Sequence, residues 1–425
     1  MNDRIKSALL LLLVCLCLCY GSWLVYCGLH DPKMALPWKS VGIICGAFWV
    51  AWLATAFRRE HGDRLLLPLA AALCSISWVE LYRLVPYIDH PNVDTRQAIW
   101  IAVGVLVYLV VVYGLSDYRV LEDYKYLFLF GGVAFQMTVM LFGTEVNGAK
   151  LWFRFNGMSF QPVEVVKIFL VIFLAAYLRQ FRHWIRLGIV SPEGRLPRKA
   201  LCLLGLGMAI AEGVLVMQKD LGMALLLFGL FVAMFYVATG RRDLISIAAV
   251  LSSVGAYYCY KWFKHVQVRV ASWLDPFADA DLTGYQMCQA IYALANGGID
   301  GTGLALGRPF LVPEAETDFI FVSVAEELGM LGAIAVLLIL AMLVMRCFLT
   351  SMLVNDEFGT LLAAGFATLF AWQTLIIVLG TTKMMPMTGI TVPFMSYGGT
   401  SLVSNFAILG IMWRVSAAQE ERYGA

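Results

Sequence analysis

The acidic residues of the chain gather where its apolar runs stop. Between Lys261 and Asp318 lie Asp275, Asp279, Asp281, Glu314, Glu316 and Asp318, interleaved with Gly284, Gly297, Gly298, Gly301 and Gly303. A carboxylate in such a setting can take a proton from a hydroxyl. The competing reading is an Asx turn or a helix cap, since Asp275-Pro276 and its neighbours are turn-like sequence. Asp275, Asp279 and Asp281 lack the spacing of an EF-hand. A stretch this long between apolar runs is more than a connector, because long ordered loops usually carry function. A second candidate is Glu164 with Lys167. Three apart on a helix, they share a face, and Pro162 suits that helix's first turn. Ionisable groups in an apolar helix are costly and mark function. Lys150, Trp152 and Arg154 alternate cation, ring and cation. That pattern suits an interface where the ring anchors and the cations meet phosphate, or a plain aromatic belt. Gln218, Lys219 and Asp220 stand at a further helix junction, with Lys219 read as the partner of Asp220. Glu80 and Arg83 read as a structural pair, and Glu326-Glu327 as a buried polar network.

These groups must be positioned by helices in lipid. Of 425 residues, 61% are hydrophobic and 14% charged, against about 25% charged in soluble domains. A span needs about 20 mostly apolar residues. Twelve stretches qualify, at 7–29, 39–57, 64–85, 97–115, 126–143, 162–180, 198–217, 221–239, 243–261, 317–345, 358–380 and 388–413. The first reads as a retained anchor, not a cleaved signal. Arg58, Arg119, Arg195, Arg241, Arg346 and Arg414 place basic residues in every second loop. Those loops and both termini are therefore expected on the cytoplasmic side. The 144–161 and 261–318 loops then face outward, and their cations, such as Lys150, Arg154 and Arg269, point to an anionic ligand. The net charge of +2 says little about partners, and no nucleic acid is expected. Most of the ten cysteines lie in apolar runs without metal spacing, as small hydrophobes do.

Five motifs, in order, carry a resemblance. Asn147-Gly148-Ala149-Lys150-Leu151-Trp152 followed by Ser159-Phe160-Gln161-Pro162-Val163-Glu164 and Lys167 is similar to N-G-A-R-R-W … F-S-F-Q-P-S-E-x-x-K of the SEDS family (shape, elongation, division and sporulation; FtsW, RodA and SpoVE). Gln218 to Gly222 resembles its Q-P-D-L-G. Asp275-Pro276 through Asp279 to Gly284-Tyr285-Gln286 resembles its aspartate loop. Pro313-Glu314 with Thr317-Asp318-Phe319, then Glu326-Glu327-Leu328-Gly329, resembles P-E-x-x-T-D-F-I-F … E-E-L-G. Gly389, Pro393 and Ser396-Tyr397-Gly398-Gly399 resemble its last motif. The chain departs at Lys219, where proline is usual, at Ala280-Asp281, and at Glu316, where histidine is common.

The resemblance implies an all-α polytopic membrane protein. Its ten-helix core would span 64–415, preceded by two added helices in 1–63 and followed by a cytoplasmic tail at 416–425. It implies a peptidoglycan glycosyltransferase of the bacterial cytoplasmic membrane that polymerises lipid II, with inversion and release of undecaprenyl pyrophosphate, beside a class B penicillin-binding protein. Asp279 aligns with the family's catalytic aspartate and is the expected general base. Glu164, Lys167, Lys150, Trp152, Arg154, Gln218, Asp220, Glu314, Asp318 and Ser396 are the expected substrate-binding residues. No metal site is expected in the protein, though Mg or Mn arriving with the pyrophosphate is compatible with the chemistry. Two alternatives stand beside this reading: a transporter of lipid II or a similar polyprenyl-linked glycan, and a scaffold without catalysis.

Overall fold

The computed structural model describes residues 3–29, 35–58, 60–88, 92–146, 149–155, 158–186 and 198–418. Asn147 and Gly148, Arg195, and the end of the tail lie outside them. The elements run α1 (Asp3–Leu29), α2 (Trp38–Ala56), α3 (Leu66–Leu84), α4 (Val93–Gly114), α5 (Val120–Asp123), α6 (Lys125–Phe142), β1 (Thr144–Val146), β2 (Ala149–Phe155), β3 (Met158–Phe160) and α7 (Val163–Arg186). There follow α8 (Arg198–Met217), α9 (Leu221–Thr239), α10 (Asp243–Trp262), α11 (Lys264–Leu274), α12 (Tyr285–Gly297), α13 (Ile320–Leu353), α14 (Glu357–Thr381) and α15 (Gly399–Ala417).

The protein is an all-helical polytopic membrane protein. Eight of its described helices are long and apolar enough to cross a bilayer: α1 to α4, α6, α9, α13 and α14. Helices that are apolar all round belong in the middle of a bundle or against lipid. α3 takes the first course and is almost wholly buried, while α1 and α6 expose most of their surface. α3, α7, α14 and α15 supply about half of the core, with Trp78, Phe173, Tyr177, Phe366, Phe370 and Phe406 among its largest members.

Three expectations need correction. The last expected span, 388–413, is helical only from Gly399. Pro386 and Pro393 remove amide donors, and the backbone at Lys383, Gly389 and Phe394 has positive φ. Residues 382–398 therefore form an ordered non-helical loop. The 261–318 stretch, expected as a jointed loop, carries two helices, α11 and α12, and 3-10 turns at Pro276–Asp279 and Pro309–Leu311. The 144–160 stretch holds an antiparallel sheet of order β1-β2-β3, with Trp152 opposite Thr144 and Arg154 opposite Ser159.

α13 is interrupted at Gly329, where φ is 67° and ψ −169°. In an unbroken helix the amides of Met330 and Leu331 would donate to the carbonyls of Glu326 and Glu327. They donate instead to Gly298 and Ile299, at 3.0 and 3.3 Å. The freed Glu326 and Glu327 carbonyls accept from Thr302 and Gly303, each at 3.0 Å. The break is thus satisfied by exchange with the segment after α12, which is how irregular backbone is tolerated inside a membrane protein. A Cβ at Gly329 would overlap the Gly301 nitrogen, so no other residue fits without displacement.

The pairing expected within α3 is also corrected. Arg83 binds across to α13: its Nε lies 3.1 Å from Glu327 Oε1, and its Nη2 donates to the Gly307 carbonyl at 2.9 Å. Glu327 Oε2 accepts from the Ala305 amide at 3.0 Å, and Glu326 Oε1 from the Arg308 amide at 3.1 Å. Glu80, 1% exposed, has no hydrogen-bond partner for either oxygen among the described residues. A longer reach favours Arg83–Glu327, because Arg83 can serve the Gly307 carbonyl at the same time.

Candidate active site

Asp279 closes the 3-10 turn that Pro276 opens. Its Oδ2 accepts from the Thr283 hydroxyl at 2.7 Å and from the Thr283 amide at 3.1 Å. Those two bonds hold the carboxyl below the usual carboxylate range. It is therefore ionised at neutral pH and partly open to solvent. The Gly284 amide donates to the Asp279 carbonyl at 2.9 Å, and α12 starts immediately after. The Asx-type bonding and the reactive reading coexist, since an ionised oxygen pinned by local donors is also one held at a fixed place.

Glu164 and Lys167 lie at the start of α7, one turn apart, 3% and 0% exposed, with Oε2 and Nζ 2.5 Å apart. Lys167 also donates to Asn405 Oδ1 at 3.3 Å and Gln373 Oε1 at 3.4 Å, while Ser404 donates to Glu164 at 3.2 Å. A buried ion pair survives only with such extra bonds. Gln373, Ser404 and Asn405 escaped the sequence reading. Their one signal was polarity within apolar helices, the same signal that marked the pair.

The 382–398 loop joins these parts. The Gln373 side-chain amide donates to the Thr391 carbonyl at 2.7 Å, linking the buried pair to the loop. Ser396 donates to the Thr317 carbonyl at 2.7 Å and accepts from the Val392 amide at 2.8 Å. Its hydroxyl is thereby occupied in tying two loops together. The Tyr397 amide donates to the Glu316 carbonyl at 2.8 Å. α11 docks on the same loop: Trp273 Nε1 donates to the Lys383 carbonyl at 3.1 Å, and Arg269 to the carbonyls of Thr388 and Met387 at 3.3 and 3.4 Å.

Arg269 faces two carboxylates. Asp318 and Arg269 both come up against Gly389, and the Arg269 charge acts on Asp318 and on Asp220. Burial, then the charge of Glu314, pushes the Asp318 carboxyl up to about 7 despite Arg269. The residue keeps part of its surface, yet protein atoms crowd its carboxyl. Asp220 is pushed up to about 6 by burial. It caps α9 by accepting from the Met223 amide at 3.1 Å. Gln218 is buried and donates to the Gln136 carbonyl at 3.1 Å. Lys219 between them has a φ of 63°, which the family's proline, fixed near −65°, could not adopt. Glu314 lies at the surface and accepts from the Thr317 hydroxyl at 3.0 Å. Lys150, Trp152 and Arg154 lie along β2, where the pairing with β1 shifts register between Lys150 and Trp152, and both cations are exposed.

The structure thus brings Glu164, Lys167, Asp220, Asp318 and Ser396 around the 382–398 loop. Asp279 stands apart: among the described residues no hydrogen bond or ion pair links it to Glu164 or Lys167. The described residues offer no group of three His, Cys, Asp or Glu placed to hold a metal.

A model for cell cycle proteins of the FtsW, RodA and SpoVE type matches residues 64–421. "Peptidoglycan glycosyltransferase RodA" of Mycobacterium tuberculosis strain H37Rv is 39% identical, covering 94% of this chain and 89% of its own length. "Probable peptidoglycan glycosyltransferase FtsW" of Geobacter metallireducens is 33% identical over 84% of this chain and 95% of its own. A solved chain from a peptidoglycan synthase complex, described as coordinating polymerization and crosslinking, superposes with a TM-score of 0.70 at 26% identity, covering 86% of this chain and 99% of that one.

Proposed function

The chain belongs to the FtsW/RodA/SpoVE family of cell cycle proteins, and on that basis we propose that it is a peptidoglycan glycosyltransferase polymerising lipid II with Asp279 as general base. The 39% identity to a peptidoglycan glycosyltransferase along nearly the whole chain carries the activity. An ionised, locally pinned and accessible carboxylate supports the role of Asp279. In the reaction a sugar hydroxyl attacks the anomeric carbon of a second lipid-linked sugar. The C–O bond to pyrophosphate breaks, and the hydroxyl proton passes to the Asp279 carboxylate. A carboxylate with a low pKa is a weak base in water. Substrate lying over it excludes water and raises its basicity.

The remaining groups divide by accessibility. Lys150 and Arg154 are free to meet the pyrophosphate with Trp152 as an interfacial anchor. Glu164 and Lys167 are engaged with each other and act by holding the 382–398 loop through Gln373. Gln218, Asp220, Glu314, Asp318 and Ser396 shape the surface around that loop. A divalent cation would arrive on the phosphate oxygens, with Asp279 or a neighbour as at most a further ligand. The catalytic segment faces outward from the cytoplasmic membrane, on the strength of the Lys/Arg pattern. The partner is a class B transpeptidase, a reading supported by the synthase complex to which the solved neighbour belongs.

The deciding experiment reconstitutes the full chain in liposomes with lipid II. Glycan strands are expected, with Asp279→Ala lowering their rate by about 10²–10⁴-fold. Lipid movement without polymer would favour transport. Undiminished polymerisation by Asp279→Ala would remove the base, and chelator titration reads the cation.

A further inference from the structure

We infer that the N-terminal helix α1 is a positioning element for the catalytic segment, acting where Gly28 meets Ala305; this rests on the glycosyltransferase reading. Residues 1–63 precede the matched family region, yet α1 is not a loose anchor. Its buried residues Leu11, Leu18, Ser22 and Val25 form one stripe packed along α3. On the same side Gly21 and Gly28, seven apart, let the backbones approach, as small residues do between membrane helices. A Cβ on Gly21 would touch Val79 at 3.3 Å. One on Gly28 would lie 2.8 Å from the Ala305 Cβ.

Ala305 belongs to the segment that completes the break in α13. It is buried, has a φ of 67°, and donates its amide to Glu327, which Arg83 holds from α3. Gly28 therefore meets the same residue of the 298–308 segment that is bonded to α13 through Glu327. From there the chain leads back along the 13 residues of α12 to the turn that holds Asp279. Gly297 lies so close to α13 that a Cβ there would overlap the Ala325 carbonyl oxygen, and one on Gly284 would overlap that of Pro276. Between them α12 is packed through Ala290 and Ala293 onto Leu84, Phe319 and Val322. A helix gripped at both ends transmits displacement. A shift of about 1 Å at a reacting group can cost 10²-fold in rate.

The test uses the full chain with Gly28→Ala, Ala305→Gly and both together. Gly28→Ala should lower kcat for strand formation about tenfold with little change in KM, the pattern of lost positioning. Ala305→Gly removes the opposing Cβ at a residue whose backbone favours glycine, so the double variant should recover to within about twofold of wild type. Gly46→Ala on α2, where an added Cβ meets nothing within 4 Å, should be silent. Amide exchange gives a second readout that needs no activity: Gly28→Ala should speed exchange at Gly303 and at Gly284, and the double variant should restore both. If Gly28→Ala polymerises at the wild-type rate, or the double variant is no better than the single, the inference is wrong. If exchange rises at Gly303 but not at Gly284, α12 does not transmit, and the inference is equally wrong. A wild-type chain that makes no strands defeats the glycosyltransferase reading instead, and exchange still decides the coupling.

Discussion

At the scale of the residue, two carboxylates show how environment separates roles. Asp279 is stabilised as an anion by Thr283, whereas Asp318 is held near neutrality by burial and Glu314. An elevated folded pKa means the folded state binds the proton more tightly than the unfolded chain. Asp318 therefore costs stability progressively as pH rises from about 4, the ordinary carboxyl value, to about 7. Asp318→Asn should abolish that slope: its melting temperature in detergent should exceed wild type at pH 8 and converge with it at pH 4. A wild-type melting temperature that climbs across this window would contradict the assignment. In the free protein Asp279 titrates lower, so an acid limb of kcat/KM near neutral pH belongs to Asp318 or Asp220, not to the base.

At the scale of the element, the break in α13 is the informative feature. Glu326-Glu327-Leu328-Gly329 reads as a polar network, and it is one. Its backbone matters as much as its side chains, because two carbonyls and two amides change partners around Gly329. Gly329→Ala places a Cβ against the Gly301 amide and strains φ, at a cost of about 1–3 kcal/mol from the backbone alone. A lowered melting temperature and loss of amide protection at Thr302 and Gly303 should follow. Leu331, two residues on, supplies the control. Its side chain is 59% exposed, so Leu331→Ala should leave both measurements unchanged.

At the scale of the whole molecule, a bundle with α3 at its centre grips the loops of one end. The Lys/Arg pattern assigns that end to the outer leaflet. In a cysteine-free background, Leu282→Cys, 79% exposed beside Asp279, should react with an impermeant maleimide in intact cells. Phe57→Cys, 74% exposed after α2, should react only after permeabilisation. The opposite labelling would place the catalytic segment on the cytoplasmic side and end the proposed reaction with external lipid II.

Composition and hydrophobic run lengths were enough to state an all-helical membrane protein and to bound most helices, because a bilayer demands about 20 apolar residues whatever the neighbours. Motif order was enough for the family. Helical spacing foretold Glu164 beside Lys167, since that contact is local. What the chain alone did not decide were the contacts between distant segments. Arg83 chose Glu327 over Glu80, Gln373 and Asn405 closed around Lys167, and Gly28 came to rest on Ala305. Each depends on which helix faces surround a group, and residues hundreds of positions apart meet only when the bundle closes.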